Sequence, residues 1–133
     1  MRIGMIGLGR MGMGLTERLL GDGHEVVVYD IRRQNVTLLE SNGAVGAESL
    51  EDMVRKLEPP RVVWIMLPCG EPVSSTISVL SDMLSPGDLM IEGGNSHFRD
   101  DLRRAGELKE KGIGYVDAGV SGGIWGLRDG FCI

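Results

Sequence analysis

The sequence predicts an α/β fold, an open, doubly wound and mostly parallel sheet with helices on both faces, and three observations point to it. Short apolar runs of strand length alternate with segments whose apolar residues recur every three or four positions, from one end of the chain to the other. Two of the runs, His24-Glu25-Val26-Val27-Val28-Tyr29-Asp30 and Val62-Val63-Trp64-Ile65-Met66-Leu67, have continuously apolar cores, as in strands covered on both faces. Between the first strand and the first helix lies Gly7-Leu8-Gly9-Arg10-Met11-Gly12, a G-x-G-x-x-G turn of the Rossmann type.

At 133 residues the chain has the length of one domain and can bury a core, without room for a second. Its 21 glycines and few aromatics suit a fold with many tight turns between strands and helices. A net charge of -5, with no long cluster of Lys or Arg, argues against a nucleic-acid partner, which needs a basic face. Cys69 and Cys132 form no C-x-x-C and join no His/Cys cluster, so no metal is expected and a reducing cytoplasm fits. No apolar run approaches the roughly 20 residues that span a bilayer, and the chain opens directly on a strand. A cytoplasmic protein with no membrane partner is expected.

Met1-Arg2-Ile3-Gly4-Met5-Ile6 reads as a short buried strand. Met13 to Leu20 reads as the helix after the glycine turn, with Met11, Leu15 and Leu19 toward the sheet and Glu17 and Arg18 outward. In such a turn the first glycine lets the chain bend sharply, the second lets the backbone approach a dinucleotide pyrophosphate, and the third lets helix and strand pack closely. The helix N-terminus then offers free N–H groups to the anion. Gly21-Asp22-Gly23 ends the helix. The second strand, His24 to Asp30, closes on an acid about twenty residues beyond the turn, where a carboxylate can accept hydrogen bonds from ribose hydroxyls. Capping of the next helix is the alternative role for Asp30.

Gln34 to Ser41 is a short helix with Val36 and Leu39 inward, ended by Asn42-Gly43, and Ala44 to Ala47 is a short third strand. Ser49 heads a third helix, with Asp52 at the reciprocal capping position and Arg55 and Lys56 in the last turn, and Pro59-Pro60 stops it. Val62 to Leu67, the most apolar run, takes the sheet centre and leads into Pro68-Cys69-Gly70. Glu71 to Leu84 carries Val73, Ile77, Leu80 and Leu84 at helical spacing and ends in Ser85-Pro86-Gly87-Asp88. Leu89-Met90-Ile91 is a fifth strand running into Glu92-Gly93-Gly94-Asn95-Ser96. The next helix has Phe98, Leu102, Ala105 and Leu108 inward, Asp100 and Asp101 in its first turn, Lys109 and Lys111 in its last, and Gly112 beyond it. Ile113 to Val116 is a sixth strand, after which Ala118 to Gly123 opens a loop that runs to Ile133.

Ligands of such sheets bind beyond the carboxyl ends of the strands, which selects Gly7 to Gly12, Asp30, Leu67 to Gly70, Glu92 to Ser96 and Asp117 to Gly123. From spacing alone Asn95 and Ser121 fit turn stabilisation as well as ligand binding, Ser96 fits a helix cap, and His97 a surface or capping position.

Together, Met1 to Gly12, Gly93-Gly94-Asn95-Ser96 and Gly119-Val120-Ser121-Gly122-Gly123 resemble the N-terminal coenzyme domain of the decarboxylating 6-phosphogluconate dehydrogenase family, within the β-hydroxyacid dehydrogenase group. The resemblance runs the length of the chain. Its most specific part is Gly-Gly-Asn-Ser, where relatives such as 3-hydroxyisobutyrate-type enzymes usually carry a Ser-Thr-based sequence. The resemblance implies an NAD(P)-binding Rossmann domain over 1–133, in which Gly7, Leu8, Gly9, Arg10, Met11 and Gly12 hold the pyrophosphate and Leu67, Pro68 and Cys69 line the coenzyme. It further implies that Asn95 contacts both the nicotinamide side and the substrate, and that Ser121, Gly122 and Gly123 bind 6-phosphogluconate. An amide and a hydroxyl can orient a polyhydroxy acid without themselves titrating.

The implied reaction, in the pentose phosphate pathway, oxidises the C3 hydroxyl of 6-phosphogluconate with hydride transfer to the coenzyme. Loss of carbon dioxide and protonation of the enediol then give ribulose 5-phosphate. In the family a general-base lysine and a general-acid glutamate come from farther along, with a large helical domain that also makes the dimer. The expectation is therefore that 1–133 carries no catalytic residue, is inactive alone, and forms a homo-oligomer only together with that domain. Lys109 and Lys111 are read as helix-dipole partners.

NADP-using members resemble Asn-Arg-Thr at the end of the second strand, where this sequence has Asp30-Ile31-Arg32. A carboxylate there repels a 2'-phosphate and accepts bonds from a free 2'-hydroxyl, so NAD is expected over NADP, with Arg32 and Arg33 as partial counterweights. Another β-hydroxyacid dehydrogenase and a non-catalytic NAD-sensing Rossmann module are the alternative readings.

Overall fold

The structure, a computed structural model, describes residues 1–133 apart from the side chain of residue 124. In chain order it runs β1 (Arg2–Ile6), α1 (Arg10–Gly21), β2 (Glu25–Tyr29), α2 (Arg33–Ser41), β3 (Val45–Gly46), α3 (Leu50–Lys56), β4 (Val62–Ile65), α4 (Glu71–Ser81), β5 (Leu89–Glu92), α5 (Phe98–Glu110) and β6 (Gly114–Asp117). A 3-10 turn (Gly123–Trp125) and α6 (Gly126–Asp129) follow. The six strands form one sheet in the order β3-β2-β1-β4-β5-β6, with every neighbouring pair parallel. This is the doubly wound order, and its reversal point lies between β1 and β4.

Because side chains alternate across a strand, the sheet feeds two cores. On one face Val27, Val63, Ile65 and Met90 pack with Met53 and Val54 of α3, Val73, Ile77 and Leu80 of α4, and Leu108 of α5. On the other, Met5, Val26 and Val28 pack with Leu15 of α1 and Val36 and Leu39 of α2. Ser49 caps α3 as expected, its Oγ accepting from Asp52 N at 3.1 Å, while Asp52 accepts from Glu48 N at 3.0 Å. The helix over 71–84 ends at Ser81, and Leu84 is buried beyond it.

Two expectations need correction. The face that α5 turns to the sheet carries Asp101, Arg104 and Leu108, whereas Phe98 and Leu102 are 58% and 69% exposed. The polar pair goes inward with partners for part of its polar surface: Arg104 Nη1 donates to Asp101 Oδ1 at 3.0 Å, Tyr115 Oη donates to the same oxygen at 2.6 Å, and Arg104 Nη2 donates to Ser74 Oγ at 3.0 Å, while Asp101 Oδ2 and Arg104 Nε have no partner among the described residues. Burial first, and then the bond to Asp101, pushes the Tyr115 hydroxyl well above its ordinary range. Apolar periodicity alone could not anticipate a buried ion pair. The second correction concerns 118–133, which is not all loop: beyond the short helical turns, Ser121 and Cys132 form an antiparallel bridge, and Phe131 packs on the Gly14 face of α1.

Candidate functional site

The glycine turn forms the rim of a cleft at the β1/β4 reversal point. Gly7 has φ +88°, and a Cβ there would strike the Met66 carbonyl. A Cβ on Gly12 would strike the Gly7 carbonyl, so the third glycine is what lets α1 sit against the strand. Gly9 differs: it is the N-cap of α1, and a Cβ there would meet nothing within 4 Å. The chain has no internal need for glycine at that position, and the open space is where a ligand can approach the backbone. No side chain caps α1, and its first turn holds no acid, which leaves the helix N-terminus to an anion.

Asp30 follows β2 and joins this turn. Its Oδ2 accepts from Leu8 N at 2.7 Å and its Oδ1 from Arg32 N at 2.7 Å, while Asn35 Nδ2 donates to Leu8 O at 3.1 Å. The Leu8 peptide is thus held at both ends. Helix α2 has Arg32 as its N-cap residue, so Asp30 braces the turn before the helix rather than capping it. A carboxylate has about four acceptor positions, and these backbone amides occupy two of them.

The cleft has a volume of about 700 Å³, within the size range of small-molecule sites. It runs from Asp30, Ile31 and Arg32, past the glycine turn, to Gly93, Gly94 and Asn95. Met66, Leu67 and Pro68 lie along it at the end of β4. At its far end Asn95 Nδ2 donates to Val120 O and Val120 N donates to Asn95 Oδ1, both at 3.1 Å, which joins the loop after β5 to the loop after β6.

Of the expected coenzyme residues, Gly7, Gly9, Arg10, Met11, Gly12, Asp30, Ile31, Arg32, Leu67, Pro68 and Asn95 line the cleft. Leu8 does not; its side chain is buried in the core and it acts through its peptide. Cys69 is exposed outside the cleft. Ser121, Gly122 and Gly123 are exposed just beyond Val120, and the Ser121 peptide is engaged by Cys132 at 2.9 and 3.0 Å. His97, not Ser96, caps α5: its Nδ1 accepts from Arg99 N at 3.3 Å. The Ser96 cap expectation is corrected because the helix starts one residue later than that role requires.

Sequence reasoning missed Pro72, Ser75 and Thr76, which line the α4 side of the cleft. Their signal was available: they sit in the first turns of the helix that follows a strand end, off the apolar row Val73, Ile77 and Leu80. The fold also brings Glu92, Asp101 and Asp117 together, with one carboxyl oxygen of each within 4.8 Å of the others. This group has its own cation in Arg104, and Gly94 N and Tyr115 Oη already donate to it. It reads as internal support rather than as a metal site. No helix among the described residues is long and apolar enough to cross a membrane.

Residues 2–133 match the family described as the NAD binding domain of 6-phosphogluconate dehydrogenase. The NAD(+)-dependent, decarboxylating 6-phosphogluconate dehydrogenase of Bacillus subtilis (strain 168) is 42% identical over 132 residues, covering 96% of this chain and 28% of that protein. The enzyme of the same description from Haloferax volcanii is 39% identical over 133 residues, covering all of this chain and 44% of that one. A solved structure of Plasmodium falciparum 6-phosphogluconate dehydrogenase superposes with a TM-score of 0.90 at 30% identity, covering 98% of this chain and 29% of that one. The chain therefore spans less than half the length of these relatives.

Proposed function

The chain belongs to the family of NAD binding domains of 6-phosphogluconate dehydrogenase, and from this premise we propose that it is the coenzyme-binding part of a decarboxylating 6-phosphogluconate dehydrogenase that uses NAD in preference to NADP. The observation that carries the reading is the glycine turn with Asp30 bonded to it, at the mouth of a cleft of about 700 Å³. The backbone N–H groups at the start of α1 hold the pyrophosphate, and Gly9 gives it room. Asp30 accepts from the adenosine ribose hydroxyls with its remaining lone pairs and repels a 2'-phosphate. Arg32, 3.8 Å from Asp30 through Nε and largely exposed, is a partial counterweight to that repulsion.

When bound, the coenzyme accepts the hydride from C3 of the substrate. This chain's part is to orient. Leu67 and Pro68 line the nicotinamide half, Asn95 lies where coenzyme and 6-phosphogluconate meet, and Ser121, Gly122 and Gly123 bind the substrate from the adjoining loop. No residue of 1–133 is proposed as the acid or base; Lys111 is engaged by Asp82 and Ser81 at 2.8 and 2.9 Å, away from the cleft.

Adding 6-phosphogluconate to the NAD-loaded chain tests the substrate assignment by NMR. Amide shifts at Asn95, Ser121 and Gly122 are expected. A response to a small 3-hydroxy acid and none to the phosphorylated sugar acid would instead indicate another β-hydroxyacid dehydrogenase.

A further inference from the structure

Glu92 ends β5 with its side chain fully buried, a rare place for an acid without partners. Its partners are the amides of the loop that follows. Oε1 accepts from Gly94 N at 2.6 Å and Oε2 from Ser96 N at 3.4 Å. Between those amides stands Asn95 with φ 58°, the one non-glycine residue at positive φ among the described residues. Asparagine adopts this left-handed conformation more readily than other non-glycine residues, and surrounding contacts can fix it in place.

Here they do. A Cβ on Gly94 would lie 2.6 Å from Glu92 Oε1 and would strike the Leu67 carbonyl, so the loop closes over the carboxyl group only with glycine there. The carboxamide of Asn95 is then held at both its polar atoms by the Val120 backbone, and the residue lines the cleft.

We propose that Glu92 is a positioning residue of the coenzyme site: by holding both amides that flank Asn95, it sets that carboxamide at the nicotinamide end of the cleft. The proposal rests on the reading of the cleft as a coenzyme site. It separates the two halves of one ligand, because the Asp30 end is built by β1, α1 and β2, to which Glu92 makes no bond. A side chain that merely stabilised the fold would affect both halves alike.

The experiment is calorimetric titration of the chain, Glu92→Gln and Asn95→Gly with NAD and with ADP-ribose. Glutamine keeps one acceptor oxygen but turns an NH2 toward the second amide. The parent chain is expected to bind NAD more tightly than ADP-ribose. Glu92→Gln should lose about tenfold in NAD affinity, with ADP-ribose changed by less than about twofold, in line with the loss of one hydrogen bond to a charged group. Asn95→Gly should show the same split. Glu92→Asp, which withdraws the acid by one methylene, is the second variant if glutamine does not fold, and should show the split as well. A variant that keeps the parent's NAD to ADP-ribose ratio, or weakens both ligands equally, would overturn the proposal. A parent chain that binds neither ligand would overturn the coenzyme reading and the proposal with it.

Discussion

Asp30 Oδ2 accepts a hydrogen bond from Leu8 N at 2.7 Å, which ties the acid after β2 to the middle of the glycine turn. One carboxyl group therefore shapes the turn and faces the cleft. Asp30→Asn removes the repulsion of a 2'-phosphate and sets an NH2 against one of two backbone amides. NAD affinity should fall by about tenfold and the NADP to NAD affinity ratio should rise. Parallel titrations with both coenzymes check this.

The glycines of the turn should separate by role. Gly12→Ala places a Cβ against the Gly7 carbonyl and should cost about 2 kcal/mol of stability by overpacking. Gly9→Ala meets no protein atom within 4 Å and should leave stability within about 0.5 kcal/mol, yet weaken NAD binding sharply. Urea denaturation and NAD titration of both variants check the contrast.

Acid should loosen the β4–β5 end of the sheet first through Asp88. Its buried carboxyl accepts from Ser85 N, Arg61 N and Arg61 Nη1 at 2.9, 2.7 and 3.0 Å. Burial works to raise its pKa, but these donors together outweigh burial and hold it below the usual carboxylate range. The folded pKa lies below the unfolded one, so this stabilisation is present above about pH 4 and is lost as pH falls through the folded value. Asp88→Ala should cost about 3 kcal/mol at pH 7, with a flatter decline of stability below pH 4, read from urea midpoints across pH.

Helix α5 offers a test of its inverted face. Leu102→Gln should change stability by less than about 0.5 kcal/mol, because that side chain is 69% exposed. Leu108→Ala, six residues on and buried, should cost about 3 kcal/mol. Thermal melts of the two variants decide which face is inside.

The sheet was legible because each strand is a short apolar run closed by turn residues, and the glycine turn fixes where the first helix begins. What escaped was set by partners distant in sequence. Asp101 and Arg104 lie inside with bonds supplied by Tyr115 and Ser74, both far along the chain. The 118–133 segment takes its form from Phe131 against α1 and from the Ser121–Cys132 bridge, neither of which leaves a periodic signal. At the site, the acid and the glycines could be read from spacing. The bond from Leu8 N to Asp30 and the grip of Glu92 on Gly94 could not, since each depends on how a loop closes.

The central claim, that the cleft beside the glycine turn holds NAD in preference to NADP, is tested most directly by calorimetric titration of the chain with each coenzyme at low salt. One NAD per chain, bound more tightly than NADP, is the predicted result. No NAD binding, or tighter binding of NADP, would contradict it.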